Sequence, residues 1–176
     1  STGANYMSSA SPALIDEYHC ATELTQNGYM GMADECSGDN DDEQPANTAA
    51  DAVSQPAVAA QNAGFMRDDA VLFVVAITDE DEQPVPGQSA QQIYDKLVAA
   101  KGTIDNVVFL GIGGGSGCEG PYGSADDAQL LREVSELFAA QDRGLFWDLC
   151  QGDLQQAFAA GLEVVDSACI AFDPPG

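Results

Sequence analysis

The most constraining feature of this sequence is the stretch at residues 70–77, Ala-Val-Leu-Phe-Val-Val-Ala-Ile, in which every residue is apolar. It is rich in β-branched residues and ends at once in the polar stretch Thr-Asp-Glu-Asp-Glu at residues 78–82. A continuous apolar run of this length is typical of a strand buried on both faces of a parallel sheet. The run therefore predicts an α/β fold, because helices on both faces would cover such a strand.

Strand and helix patterns alternate along the rest of the chain. Ser89 is predicted to cap a helix that ends at Gly102, and Ser124 to cap a second helix with acidic residues in its first turn. Further elements are predicted as strands at 107–110 and 145–149 and a last helix at 153–166. This alternation implies right-handed crossovers between parallel strands. The expected fold is an α/β, Rossmann-like parallel sheet with helices on both faces.

The N-terminal part of the chain is compositionally different. Residues 1–46 are rich in Ser, Gly, Asn and Asp without a sustained period, and they contain the acidic run at residues 39–43. We expect an irregular acidic segment at 1–46, followed by the α/β unit at 47–176. That unit begins with a short helix from Thr48 to about Ser54, because Pro56 cannot continue a helix interior.

The charge of the chain restricts its partners. With 29 acidic against 5 basic residues, the formal net charge is −24. Such a surface repels nucleic acid phosphates and anionic membranes. It favours divalent cations, basic partner surfaces, or a high-salt habitat that screens self-repulsion, and the sequence leaves these alternatives open.

Five cysteines and a single histidine, without paired Cys-x-x-Cys spacing, favour disulfides over a zinc site. Cys118 and Cys150 both follow the ends of neighbouring predicted strands, so we expect them to bond. Cys20 with Cys36 is the natural second pair, and the odd Cys169 would bond to another chain. The expected location is extracellular, on the cell surface or periplasmic. No apolar run is long enough to span a bilayer, and we expect that a segment preceding Ser1 has been removed or is missing.

Two stretches of the sequence carry a resemblance to a known family. The first is Asn62–Ala70 running into the strand that closes at Ile77–Asp81, and the second is Gly144–Cys150 with Asp153 and Leu154 behind it. Together with Glu43-Gln44-Pro45, they resemble the von Willebrand factor A-like domains of bacterial secreted proteins and lipoproteins. The resemblance covers roughly residues 43–172, the C-terminal part of such a domain.

The resemblance implies a divalent metal site, Mg²⁺ or Ca²⁺, at the carboxyl ends of the strands. The family holds the ion with Asp-x-Ser-x-Ser, a Thr and a later Asp, and this sequence contains no Asp-x-Ser-x-Ser. Asp79 lies where the later Asp would be, Thr48 is the candidate Thr, and Glu80 and Asp81 are weaker candidates. The alternative is an acidic loop exposed to solvent.

The absent motif belongs to the family's central strand, which would lie beside residues 70–77. Without it, that apolar strand becomes an exposed edge, which natural proteins avoid because free edges invite aggregation. We therefore expect an N-terminal fragment of the same precursor, or a second chain, to complete the sheet.

The resemblance implies a protein-binding or adhesion module on a bacterial surface that engages a partner through its loops. The alternative is a structural subunit of an extracellular assembly that docks through the exposed strand. An enzyme is not expected. The glycine-rich stretch 111–117 has no helix directly behind it and no basic residue nearby to bind phosphate. His19 next to Cys20, and Ser1 as an N-terminal nucleophile, do not form a catalytic set.

Overall fold

The computed structural model describes residues 11, 13–15, 43–56, 60, 62–83, 88–120 and 123–172 of the chain. In chain order the elements are α1 (Pro45–Ser54), β1 (Leu72–Ile77), α2 (Ala90–Lys101), β2 (Val107–Gly113), β3 (Cys118–Gly120), β4 (Gly123–Ala125), α3 (Gln129–Ala139), β5 (Gly144–Asp148) and α4 (Leu154–Ala171). Short 3₁₀ turns precede β2 and follow β5.

The main sheet is parallel and has the order β1-β2-β5, with Leu72 opposite Val107 and Phe109 opposite Gly144. A separate two-stranded antiparallel sheet is formed by β3 and β4. The prediction of three parallel strands joined by helices is confirmed. Central β2 is buried along its whole length, whereas β1 is only partly buried and Ile77 at its end is 43% exposed.

Helices cover both faces of the sheet. On one face α1, α2 and α3 pack on Val74, Ala76 and Phe109 through buried residues that include Ala50, Ile93, Leu97, Leu131, Val134 and Phe138. On the other face α4 packs on Leu110 and Ile112 through Ala157, with Phe73, Val75 and Trp147 around them. The alternation of side chains along each strand thus feeds two separate apolar layers.

Helix α2 begins and ends as its sequence predicts. The hydroxyl of Ser89 accepts a hydrogen bond from the Gln92 main-chain N–H at 3.4 Å, and the Gln92 side chain accepts one from the Ser89 N–H at 2.8 Å. This reciprocal capping satisfies two of the four free N–H groups at the helix start. Gly102 ends the helix with φ 76°, a left-handed conformation that glycine adopts without steric cost.

The prediction for the start of the following helix is wrong. Ser124 lies in β4, opposite Glu119, and α3 begins five residues later at Gln129. The acceptor at this helix start is the Asp81 carboxylate, which binds the Leu130 N–H at 2.8 Å. A residue 49 positions away in sequence has therefore replaced the local cap, which local pattern does not reveal.

Several predictions concern residues outside the described ranges. These are the Cys20–Cys36 disulfide, the acidic run at 39–42, His19 and Ser1. They stay predictions, as does the domain division at residue 46. Within the part of the chain that the structure describes, no helix combines the length and apolarity needed to cross a membrane.

Candidate functional site

The acidic stretch after β1 lies at the carboxyl end of the sheet, as its sequence position predicts. Thr78 is buried, its N–H donates to the Ile112 carbonyl at 3.0 Å, and its hydroxyl accepts from the Glu80 N–H at 3.1 Å. The stretch thus leaves the sheet as a tight turn, with Asp79 and Glu80 exposed beyond it. Ligands of open α/β sheets bind at this edge.

Two of the acidic side chains in this stretch cap helices. Asp81 Oδ1 accepts hydrogen bonds from the N–H groups of Leu130 and Glu82, each at 2.8 Å. Glu82 is 3% exposed, and its two carboxylate oxygens accept from the N–H groups of Ala46 at 2.9 Å and Asn47 at 2.7 Å, at the start of α1. These carboxylates therefore join β1 to the first turns of α1 and α3.

Burial sets the titration of Glu82. Desolvation is the largest influence on this carboxyl and raises its pKa above the ordinary value of 4.5, whereas the hydrogen bonds from Asn47 and Ala46 lower the pKa. Repulsion from Asp81 and Glu43 raises the pKa further. The capping role of Glu82 thus carries an electrostatic cost at neutral pH.

Asp79 is the member of the stretch that faces an open pocket. This loop pocket, of about 490 Å³, is lined by Asp79, Glu119, Ser124, Leu149, Asp153 and Leu154 together with the Cys118–Cys150 disulfide. Residues from the ends of β1, β3, β4 and β5 therefore meet here. The pocket combines carboxylates with apolar side chains, a lining that suits a mixed polar and apolar ligand surface.

The predicted metal ligands do not converge in the structure. Thr48 lies on the exposed side of α1, and Asp81 is already bound by two main-chain N–H groups. Across the described ranges, no group of three His, Cys, Asp or Glu side chains is placed to hold a metal ion. These residues do not by themselves form the donor set of a Mg²⁺ or Ca²⁺ site, and metal binding through Asp79 and Glu80 stays a prediction.

The glycine-rich stretch after β2 is explained by close packing. A Cβ on Gly113 would lie 2.7 Å from the Ala128 Cβ, and one on Gly114 would lie 1.9 Å from the Asp126 carbonyl oxygen. A Cβ on Gly115 would meet the Asp148 carboxylate carbon at 2.8 Å. The glycines let this loop pass between α3 and the end of β5.

The disulfide predicted between Cys118 and Cys150 is present, with a Cα–Cα separation of 5.9 Å. It joins β3 to the turn behind β5 and forms one wall of the loop pocket. Among the described cysteines, Cys169 is free and exposed. A disulfide of this kind is typical of proteins that fold in an oxidising compartment.

Sequence reasoning missed two residues that hold the glycine-rich loop. Asp148 Oδ1 accepts from the N–H groups of Gly115 and Cys150, each at 3.0 Å. Arg132 donates to the Gly115 carbonyl at 2.7 Å and to Asp127 at 2.8 Å, and the bond to Asp127 raises the pKa of its guanidinium. An Asp near the end of a predicted strand was visible in the sequence, but its partners were not.

The second candidate site is the outer edge of β1, which pairs only with β2 among the described residues. The Thr78 N–H donates to Ile112, so the even-numbered residues of β1 direct their main-chain groups toward β2. The alternation then places the N–H and C=O groups of Phe73, Val75 and Ile77 on the outer side. We call these three residues the docking edge.

Helix α4 carries a row of exposed apolar side chains. Leu154, Phe158 and Leu162 recur every fourth residue and are 41%, 38% and 53% exposed. They lie one step round the helix from the buried row Ala157, Gly161 and Ala168. We call Leu154, Phe158 and Leu162 the α4 flank.

Packing shows which strand the α4 flank lies beside. A Cβ built on Gly161 would lie 3.0 Å from Leu110 Cδ2 and 3.2 Å from Phe73 Cζ, so α4 packs over β2 and reaches the Phe73 ring of β1. The crossovers through α2 and α3, on the opposite face, are right-handed, and α4 is itself a right-handed helix. Together these two facts place the α4 flank on the side of α4 that is nearer to β1. The α4 flank therefore faces the same side of the sheet as the docking edge.

Comparison of this chain with protein-family models, with curated proteins and with solved structures gives no match.

Proposed function

We propose that this chain is an extracytoplasmic protein-binding module, similar to von Willebrand factor A-like domains, whose sheet is completed by an extended segment of a second polypeptide. The docking edge is the observation that carries the proposal. Its three outward pairs of N–H and C=O groups can form a parallel or antiparallel ladder, as in other complexes that add a strand to a sheet. The segment would also cover the α4 flank.

The chemistry of the surface favours a specific partner over self-association. An exposed apolar strand is an aggregation hazard unless something covers it or charge repels further copies. Each copy carries a formal net charge of −24, which opposes pairing between two identical chains. The expected occupant is a segment with alternating apolar residues from a different polypeptide.

Proline substitutions test the docking edge selectively. Val75→Pro removes an N–H that β2 does not use, so the chain should still fold, because edge strands tolerate proline with its N side outward. Val74→Pro removes an N–H directed at β2 and should destabilise the sheet. The tagged chain would be isolated from its own host, and its size and intact mass measured with and without reductant.

The proposal expects that a second polypeptide is isolated together with the wild-type chain. The Val75→Pro variant should lose this polypeptide while its circular dichroism spectrum shows that it is still folded. Leu162→Glu should also weaken the complex, whereas Ile170→Glu, an exposed apolar position outside the α4 flank, should not. A folded wild-type monomer of 18.3 kDa, with no companion at low concentration, would overturn the proposal.

The loop pocket supports a second mode of binding, in which a partner engages the loops at the strand ends with or without a divalent cation. The observation that favours it is the position of Asp79 in a pocket shared with Glu119 and Asp153. Titration with Mg²⁺ or Ca²⁺ should give a binding isotherm that Asp79→Asn removes and Asp95→Asn, on the exposed side of α2, retains. An unchanged isotherm in Asp79→Asn would exclude this site.

A further inference from the structure

The N-terminal end of β1 carries a pocket whose lining contains two basic residues and no acidic residue. This cationic pocket, of about 230 Å³, is lined by Phe65, Arg67, Leu72, Phe73 and Lys101. It places two of the five basic residues of the sequence beside the start of the docking edge. Asp68 and Asp69, which follow Arg67 in the chain, are exposed but do not line the pocket.

The two cations of this pocket have no carboxylate partner among the described residues. The three ion pairs found there use the other basic residues, Lys96, Arg132 and Arg143. Lys101 Nζ donates one hydrogen bond to the Arg67 carbonyl at 2.6 Å, which keeps the ammonium next to the Arg67 main chain. An ammonium has three donors and a guanidinium five, so both groups can still bind an anion.

We infer that the cationic pocket binds an acidic side chain at the N-terminal end of the segment that occupies the docking edge. This inference rests on the proposed function and adds the direction and chemistry of the segment. Because the existing sheet is parallel, a parallel segment starts beside Leu72 and ends beside Ile77. Its first residue then lies next to Arg67 and Lys101.

Charge complementarity along β1 determines which end of a parallel segment carries the acidic residue. Arg67 and Lys101 lie at the start of the strand, whereas Asp79 and Glu80 follow its end. A carboxylate at the start of a parallel segment gains charge-assisted hydrogen bonds, and one at the end of the segment meets like charge. The bound segment is therefore acidic first and apolar afterwards.

Two peptides of identical composition test the inference. Both are acetylated and amidated, with alternating valine and threonine over six residues, and they carry one glutamate at either the N-terminal or the C-terminal end. Binding to the full chain is measured by fluorescence anisotropy at low salt. We expect the N-terminal glutamate peptide to bind about tenfold more tightly, a difference of roughly 1.4 kcal/mol.

Variants assign the preference to the pocket. Arg67→Gln combined with Lys101→Gln should lose most of the preference and leave only the part due to repulsion from Asp79 and Glu80, whereas Lys101→Arg should keep the full preference. Equal binding to the wild-type chain, or a preference for the C-terminal glutamate, overturns the inference and leaves the docking edge standing. A preference that persists unchanged in Val75→Pro shows that the pocket acts without the edge, which overturns the proposed function instead. Absence of binding by both peptides overturns both.

Discussion

Truncation of Glu82 tests the conclusion that one buried carboxylate joins β1 to α1. Glu82→Ala removes the acceptor for two main-chain N–H groups, at 2.9 and 2.7 Å, in a position that is 3% exposed. Loss of a helix-capping acceptor costs about 0.5–2 kcal/mol, and each N–H left without a partner in a buried position costs about 1–3 kcal/mol. Relief of the desolvated charge offsets part of this, so we expect a net loss of about 2 kcal/mol in the free energy of unfolding.

Urea unfolding followed by circular dichroism measures this loss directly. With a urea dependence of about 2 kcal/mol per molar for a chain of this size, the midpoint should fall by roughly 1 M without a change of slope. Glu80→Ala is the matched control, because Glu80 is exposed and makes its side-chain contact only with Gln83 in the same turn. A Glu82→Ala midpoint within about 0.2 M of the Glu80→Ala midpoint would refute the capping role, since the two losses would then be equal.

Three further predictions use the same unfolding assay. Glu82→Gln should gain stability relative to the wild-type chain as pH rises above 4.5. The folded pKa of Glu82 is raised, so the wild-type chain loses stability as pH rises from 4.5 through that pKa, whereas glutamine does not titrate. A constant difference in the free energy of unfolding between pH 4 and 8 would contradict this. Gly114→Ala should lower the free energy of unfolding by more than about 2 kcal/mol, because its Cβ would clash with the Asp126 main chain. Gly120→Ala, whose Cβ would have nothing within 4 Å, should be near neutral. Equal effects of the two substitutions would contradict the packing role of Gly114. Replacing Cys118 and Cys150 with serine should lower the free energy of unfolding by about 4 kcal/mol, because the chain loses the loop closed by a 32-residue separation. In this double variant, reductant should cause no loss of stability through the 118–150 position.

The parts of the fold that could be predicted from sequence are those whose signals are local. The apolar run at 70–77 and the Ser89 cap each act through neighbours in the chain, and β1 and α2 formed where these signals indicated. The disulfide between Cys118 and Cys150 was also predictable, because parallel strand ends meet at one edge of the sheet. Local pattern therefore predicted the alternation of elements and their common direction.

The parts that could not be predicted depend on contacts between distant residues. Asp81 and Glu82 have the same appearance as Asp79 in the sequence. Two of these three carboxylates nevertheless accept hydrogen bonds from helix N–H groups, at separations of 49 residues for Asp81 and of 35 and 36 residues for Glu82. The Ser124 cap was mistaken for the same reason, because a distant carboxylate supplied the acceptor. An acidic stretch after a strand thus divides into structural and exposed carboxylates only once the helices around it are in place.

The outer edge of β1 and the acidity of the chain both affect which strands can pair with this sheet. Among the described residues, the outer N–H and C=O groups of β1 pair with no other strand, and an edge of this kind beside exposed apolar side chains would pair readily with a second copy of itself. Repulsion between copies of net charge −24 opposes this pairing, and at 0.15 M salt it acts over about 8 Å, the range at which two edges would meet. A partner segment of low charge would escape that repulsion, and one acidic group at its start would be attracted by Arg67 and Lys101, which line one pocket. The same charge distribution can therefore exclude self-association and select the direction of a foreign strand.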